Sequence, residues 1–430
     1  MGQVKSGGIY YGWVIVGISM LVAFVISGAR MSFSPSFKPM LLDYDTNRGL
    51  LSLAMSINQL FYGLAGPVTG WLTDRYGART IILISALITA VGLVGTSLAP
   101  NLWVLYIAYG VFTGFGFSGT TTIPFSALIT RWFRRKSGLA MGLSTAGTPI
   151  GHMFIVPIAT YVILGWGWRY AYAIVGAVIA LIIAPLAWRL VKGDPRELGL
   201  LPDGDVKPHA VGATLAGAGG TTSMPSQNLA QAMRTRPYWL LCIGWFTCGF
   251  VGFMVSTHLV PFATDVGMGL MEAALVLSLM GAFSAIGSFG SGALSDWIGR
   301  KNPLTAIYFT RFLAFPLIML PAVSSNHILV YLFAMVFGIG MLATLPLAST
   351  LVREIYGQQS MGVILGTILL AHQIGAAMGV YMGGAIFDAT GSYFWAFLMS
   401  SVLSLVAAVA SFKIRETPRP VYIPRAVPAE

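Results

Sequence analysis

The sequence is poor in charge. Only 9% of its 430 residues are Asp, Glu, Lys or Arg, against roughly a quarter in an ordinary soluble domain. So few ionic groups cannot build a water-facing surface for a chain this long, and 56% of the residues are hydrophobic. The bilayer has to be the solvent. Cysteine is nearly absent too. Cys242 and Cys248 share one apolar run, a placement that gives neither a disulfide framework nor a metal site, so no cofactor or metal is expected. There is no Gly-x-x-x-x-Gly-Lys-[Ser/Thr] loop to cradle a nucleotide, no Gly-x-Ser-x-Gly elbow, no histidine cluster and no buried carboxylate pair. An enzyme is not expected. The first apolar run, from about Tyr11, is too long for a cleavable leader and has no convincing cleavage site, so it reads as a retained span. The net charge of +11 raises the question of nucleic acid, but the basic residues form short clusters between apolar runs, as membrane anchors do.

What the chain does have is apolar length. About 20 such residues cross a bilayer as a helix, and runs of that size lie near residues 10–34, 50–69, 80–99, 103–130, 138–162 and 168–189. A second set follows near 237–262, 271–292, 303–322, 327–350, 361–386 and 392–413. The fold class is therefore an all-α membrane protein of twelve spans: an N-terminal six-helix bundle over 1–189, a polar linker over 190–236 and a C-terminal bundle with a short tail over 237–430. The linker, which includes the Gly-rich stretch Gly212–Gly220, is too small and polar to bury a core and reads as flexible. All of the 25 Lys and Arg residues except Lys38, Arg48, Arg169, Arg30 and Arg311 fall in the termini and the even-numbered loops. The positive-inside rule then places both termini in the cytoplasm, with the chain multi-pass in the cell's inner (plasma) membrane and lipid as its surroundings.

The two halves repeat each other. Gly70-Trp-Leu-Thr-Asp74-Arg75-Tyr-Gly77 corresponds to Gly292-Ala-Leu-Ser-Asp296-Trp-Ile-Gly299, each between a second and a third span. Gly116, Pro124 and Arg131 recur as Gly338, Pro346 and Arg353, and Gly138, Gly142 and Gly151 as Gly362, Gly366 and Gly375. Such a repeat is expected where two bundles rock about a midplane site.

Charge inside a membrane is costly, about 2.5–3.5 kcal/mol for an arginine at mid-helix on insertion scales. The predicted spans hold Arg30, Arg311 and the histidines His152, His258 and His372, with no acid near mid-depth. A cavity lined by cationic and protonatable groups suits an anion and not a cationic drug. His372 falls roughly 16 Å into span eleven at 1.5 Å per residue, where it can donate to a carboxylate and titrate near neutral pH. Gln373 can add a hydrogen bond. The competing reading is a histidine that bonds a neighbouring helix beside the glycine face Gly375, Gly379 and Gly383. Arg30 either forks a substrate carboxylate or snorkels to the headgroups. Asn58 and Gln59 either line the pathway or tie helices together.

Over essentially its whole length the chain resembles the major facilitator superfamily, whose loop motif between spans two and three is the Gly-x-x-x-Asp-Arg-x-Gly stretch at 70–77; the second copy ends Gly299-Arg300-Lys301. Within that superfamily it is most similar to the bacterial oxalate/formate antiporter and monocarboxylate porter branch. The similarity is carried by Tyr11-Gly12-Trp13, by Arg131-Trp132-Phe133 through Gly138-Leu139-Ala140, by Gly199-Leu-Leu-Pro-Asp203-Gly204 and by His372-Gln373-Ile374-Gly375. The resemblance implies a monomeric secondary transporter without a cofactor. It admits His152 and His258 to the cavity lining alongside Arg30, His372 and Gln373, and it favours a structural role for Arg311 in span nine. It also implies a cytoplasmic latch of Asp74, Arg75, Asp296 and Arg300, joined by Arg131 and Arg353. The chain departs from the branch at Ser288, where oxalate/formate antiporters carry arginine, and span eight has no aspartate. Oxalate as substrate and proton coupling through span eight are accordingly not expected. The reading is transport of a small organic anion, a monocarboxylate first, by alternating access. Proton symport through His372, anion exchange and facilitated diffusion all fit. Efflux of a neutral or aromatic metabolite is the alternative.

Overall fold

The computed structural model describes residues 10–204, 228–357 and 361–414; the Gly-rich part of the linker lies outside them. Among the described residues, twelve long helices or helix pairs cross the molecule. Spans one to six are Gly12–Asp43, Arg48–Tyr76, Ala78–Ser97, Leu102–Trp132, Ser137–Trp166 and Trp168–Leu190. Spans seven to twelve are Arg236–Asp265, Leu270–Ile298, Lys301–Met319, Ile328–Tyr356, Met361–Thr390 and Phe394–Phe412. Ten of these pass as membrane-crossing by length and apolarity alone; spans two and nine are the more polar pair. Span two turns Ser52, Ser56, Asn58, Gln59, Thr69 and Thr73 inward, so its polarity is spent on other helices and not on lipid.

Several helices outrun their apolar stretches. Span one continues through Pro35 and Pro39 to Asp43, span seven reaches Asp265 and span eleven reaches Thr390. Lys38, expected in a loop, is therefore on a helix. The linker also departs from the expectation of flexibility, because both its described ends are ordered. Pro195–Leu198 and Pro202–Gly204 form 3-10 turns, and Leu229–Met233 is a short capped helix.

Within each half, glycine sets the closest approach. Gly147 and Gly151 of span five lie against the carbonyls of Met20 and Phe24 in span one, and Gly375 and Gly379 of span eleven lie against those of Phe246 and Phe250 in span seven. A methyl group at any of the four would overlap backbone, so only glycine admits these crossings. Gly151 and Gly375 are related by the internal repeat. So are two helix breaks: span four is interrupted at Thr120–Thr121 and span ten at Leu342–Ala343. Pro124 and Pro346 each stand early in the helix that resumes, where their missing N–H is harmless.

The halves meet along spans two and eleven and along spans five and eight. Ser56 Oγ donates to the Ala377 carbonyl at 2.8 Å and Ser34 Oγ to that of Thr257 at 2.8 Å, and Gly281 accommodates His152. This contact is concentrated toward the face opposite the basic clusters. At the basic face, Gly138, Gly142, Gly362 and Gly366 look onto open space. The halves are joined at one face, while at the other these glycines have no neighbour within 4 Å.

Candidate functional site

Arg30 lies about 27 Å along span one at 1.5 Å per residue, near the middle of the membrane-spanning length. One Nη donates to Gln59 Oε1. Its guanidinium carbon is 4.4 Å from the ring centroid of Tyr62, 5.0 Å from that of Phe253 and 5.8 Å from that of Phe117. Tyr62 and Phe117 belong to its own half; Phe253 comes from span seven of the other. Aromatic faces attract a cation by about 0.5–2 kcal/mol but leave its charge in place. Among the described residues no carboxylate lies within ion-pair distance of it.

His372 stands beyond Phe253, its ring 6.1 Å from that phenyl group and 5.7 Å from Trp245. Gln373 packs on Gly63 of span two across the line between the halves. Four side-chain atoms in this zone, Arg30 Nε, Gln59 Nε2, His372 Nδ1 and Gln373 Oε1, are buried without a hydrogen-bond partner. Buried polar groups are normally satisfied, so a concentration of orphans where two bundles meet is what a receptor for a polar ligand leaves when unfilled. Arg30 Nε and Gln59 Nε2 are donors, Gln373 Oε1 is an acceptor, and His372 Nδ1 is either according to its tautomer.

The other sequence candidates separate. His152 is buried in span five near Arg30 and against span eight, at the edge of this zone. The structure does not bring His258 there. It is wholly buried, with Nε2 donating to the Val380 carbonyl at 2.8 Å and Nδ1 accepting from the Tyr393 hydroxyl at 3.0 Å. With both nitrogens occupied it is a helix tie. Arg311 donates to the carbonyls of Gly340 and Met341 at 2.7 and 3.3 Å, groups freed by the break in span ten. Asn58 ties span two to span four through the Tyr109 carbonyl and Thr113 hydroxyl at 3.0 and 2.7 Å, whereas its neighbour Gln59 faces Arg30.

A second assembly, which apolar-run reasoning missed, closes the face away from the basic clusters. Arg48 at the start of span two forks Asp265 at the end of span seven, with Nη–Oδ distances of 2.6 and 3.0 Å. Lys38 reaches the same carboxylate at 2.6 Å. Asp388 of span eleven accepts from the backbone N–H groups of Arg48 and Gly49 at 3.0 and 2.6 Å, so it caps the N-terminus of span two from the opposite half. Arg48 also donates to the Tyr393 hydroxyl at 2.9 Å and lies 3.6 Å over the Phe387 ring. Two cations of one half and two carboxylates of the other make a charge-balanced clasp. His258 buttresses it through Tyr393.

At the basic face, Asp74, Arg75, Arg131 and Arg353 are not paired with one another among the described residues. All four are exposed. Arg75 rests on the rings of Trp71 and Tyr76, each 5.4 Å away. Arg300 pairs with Glu354 at 3.4 Å within its own half, and the Asp296 side chain lies outside the described set. A different carboxylate is at work nearby. Asp203, at the described end of the linker, accepts from the backbone N–H groups of Arg134, Arg135 and Lys136 at 3.0, 2.9 and 3.5 Å, just before span five begins. Burial alone would raise the Asp203 pKa, but the three N–H groups outweigh it and hold the carboxyl below its usual value.

A family model described as the Major Facilitator Superfamily matches residues 19–380. "Uncharacterized MFS-type transporter YcxA" of Bacillus subtilis (strain 168) is 27% identical over 416 residues, covering 94% of this chain and 97% of that one. "Monocarboxylate transporter 13" of Bos taurus is 24% identical over 398 residues, covering 93% and 88%. Among solved structures, a bacterial homolog of the human lysosomal transporter Spinster, inward-facing and unoccupied, superposes with a TM-score of 0.73 at 19% identity over 94% of this chain and 97% of that chain.

Proposed function

Because the chain belongs to the major facilitator superfamily, and is thus a transporter and not an enzyme, we propose that it moves a small organic anion, a monocarboxylate first, by alternating access. The observation that carries this reading is Arg30, an unpaired guanidinium at mid-depth surrounded by aromatic rings and orphaned donors. A carboxylate entering there gains a fork from Arg30 and a donor from His372, and its short carbon skeleton finds Phe253, Tyr62 and Trp245. The two principal groups belong to different halves, so a bound anion draws the halves together, which is how binding energy drives rocking. His152 and Gln373 border the same zone and complete the donor set; His258 serves the clasp instead. That several similar proteins carry the name monocarboxylate transporter supports the choice of anion.

In this cycle the basic face is cytoplasmic and the Arg48–Asp265 clasp is the outer gate. Asp74, Arg75, Arg131 and Arg353 are the inner latch, with Asp296 and Arg300, and engage when the outer gate parts. His372 takes or releases a proton as the anion binds, which permits proton symport; exchange of one anion for another needs no proton. The chain works as a monomer.

The test is uptake of labelled lactate, pyruvate, formate and acetate into proteoliposomes, with and without an inward proton gradient. Saturable uptake of one acid, abolished by Arg30→Gln, is expected. Failure of all four, with or without preloaded counter-substrate, refutes the anion reading and leaves efflux of a neutral or aromatic metabolite. His372→Ala with unchanged uptake at every pH removes His372 from the mechanism.

A further inference from the structure

At the clasped face, the ends of spans one, five and six of one half and of spans seven and eight of the other surround an open recess of about 580 Å³. Lys38, Asp43, Arg169, Trp166 and Tyr170 line it from the N-terminal half, and Thr264 and Leu270 from the C-terminal half. The recess carries both signs of charge. Lys38 Nζ spends one donor on Asp265 at 2.6 Å and has two more N–H groups. Asp43 lies five residues further along the same helix, about 7.5 Å of rise. One of its oxygens accepts from Trp168 Nε1 at 2.8 Å, with Arg169 Nε 3.8 Å away. Its other oxygen has no partner among the described residues, and the side chain is 48% exposed. Arg169 gives one Nη to the carbonyls of Ser97 and Ala99 and stacks at 4.4 Å on the Trp168 ring, so the indole that holds Asp43 is itself fixed. Trp166 and Tyr170 are exposed at the rim. Helix ends flanked by exposed tryptophan and tyrosine mark the headgroup level of a bilayer.

We propose that this recess seats the headgroup of a zwitterionic phospholipid bearing a primary amine, and that the seated lipid holds the clasped face shut. The phosphate accepts from the spare Lys38 N–H groups. The ammonium donates to the free Asp43 oxygen, with the rings of Trp166 and Tyr170 flanking it. The acyl chains follow the exposed side chains Leu164, Tyr161 and Ile158 down span five. Charge complementarity selects this occupant. Lys38 is already balanced by Asp265 and Arg169 by Asp43, so an anionic head would add an unbalanced charge where a zwitterion adds none. A quaternary ammonium has no N–H to give Asp43. The walls come from both halves, so the recess exists only while this face is closed, and a ligand that binds one of two states draws the equilibrium toward it. Lys38 belongs to both contacts, which puts the phosphate against the clasp itself. The proposal rests on alternating access and not on the identity of the transported anion.

The experiment is native mass spectrometry of the full chain in detergent, with phosphatidylethanolamine, phosphatidylcholine and phosphatidylglycerol supplied at equal concentration. Preferential retention of phosphatidylethanolamine is expected, with its preference over phosphatidylglycerol lost in Asp43→Asn, a variant that keeps an acceptor for Trp168. Equal retention of the three by the wild type, which needs no variant to fold, overturns the proposal, as does an unchanged preference in folded Asp43→Asn. Glycerophosphoethanolamine, the same head without chains, should not displace the lipid at equal concentration; if it does, the recess is a site for soluble zwitterions and the lipid reading falls. The second arm reads the gate. Spin labels at Leu98 and Ser392, exposed on opposite halves at this face and outside the recess, are followed in phosphatidylcholine nanodiscs with and without phosphatidylethanolamine. The amine lipid should raise the ratio of closed to open by about 5-fold or more, and by less in Asp43→Asn. A distance distribution indifferent to phosphatidylethanolamine overturns the coupling. Neither arm uses a transported substrate, so both stand if no acid is carried.

Discussion

Replacing Asp265 by Asn tests the clasp most directly. In the closed state Asp265 takes two charge-assisted hydrogen bonds from Arg48 and one from Lys38. Asparagine keeps one acceptor oxygen, loses the charge and turns an N–H₂ toward two cations. Hydrogen bonds to charged groups are worth about 1.5–3 kcal/mol each, but the Asp265 side chain is 26% exposed, so water recovers part of the loss. A net destabilisation of the closed gate of about 2–4 kcal/mol follows, which shifts the ratio of open to closed by roughly 30- to 1,000-fold. Asp388 still caps span two, so the protein stays folded and only the equilibrium between its states moves. Spin labels at Leu42 and Ser392, exposed positions on opposite halves at this face, read the change as a lengthened inter-label distance. Arg48→Gln should lengthen it as well, and the two substitutions together should add little, since each removes the same fork. An unchanged distance distribution in Asp265→Asn, with wild-type folding, would refute the assignment of these charges as the element holding the face shut.

Arg30→Lys keeps the charge but not the fork, and should raise KM for the transported acid by about 10- to 100-fold in an uptake assay, with Arg30→Gln worse. Gly379→Ala inserts a methyl group into the Phe250 carbonyl and should destabilise the C-terminal half by about 1–3 kcal/mol; Gly366→Ala, which faces open space, is the matched control in a thermal melt. Asp203→Asn weakens the hydrogen bonds accepted from the Arg134, Arg135 and Lys136 N–H groups, a loss of about 0.5–1.5 kcal/mol. Since folding holds the Asp203 carboxyl below its ordinary value, its contribution is complete above the unfolded pKa and is lost as pH falls through the folded one. The variant should therefore melt below the wild type at neutral pH and converge on it in acid.

The spans, the two-fold repeat and the basic face were legible because each is written in residue type at fixed spacing. Arg30 and His372 stood out for the same reason, as ionisable groups in apolar surroundings. The clasp was not legible. Arg48, Asp265 and Asp388 lie just past the ends of apolar runs, where charge is normal for a loop, and only continuation of the helices brings Arg48 beside a carboxylate 217 positions away. Aromatic residues hide in the same way: Tyr62 and Phe253 look like any other lipid-compatible side chain until the fold sets them around a guanidinium. His258 is the opposite case. A histidine in a span attracts attention, but its partners, a carbonyl in span eleven and a phenol at the start of span twelve, carry no signal in sequence.

The unpaired guanidinium also has an electrical consequence. In the anion-exchange form of the proposed cycle, with no proton taken up, a loaded protein closes around a neutral pair, while an empty one closes around a net positive charge at mid-membrane. Only the empty transition then shifts charge relative to the field, at up to about 2.3 kcal/mol per 100 mV for a full charge crossing. Swapping one anion for another skips that transition altogether. Exchange should therefore outpace net flux and ignore voltage, whereas net flux should depend on it.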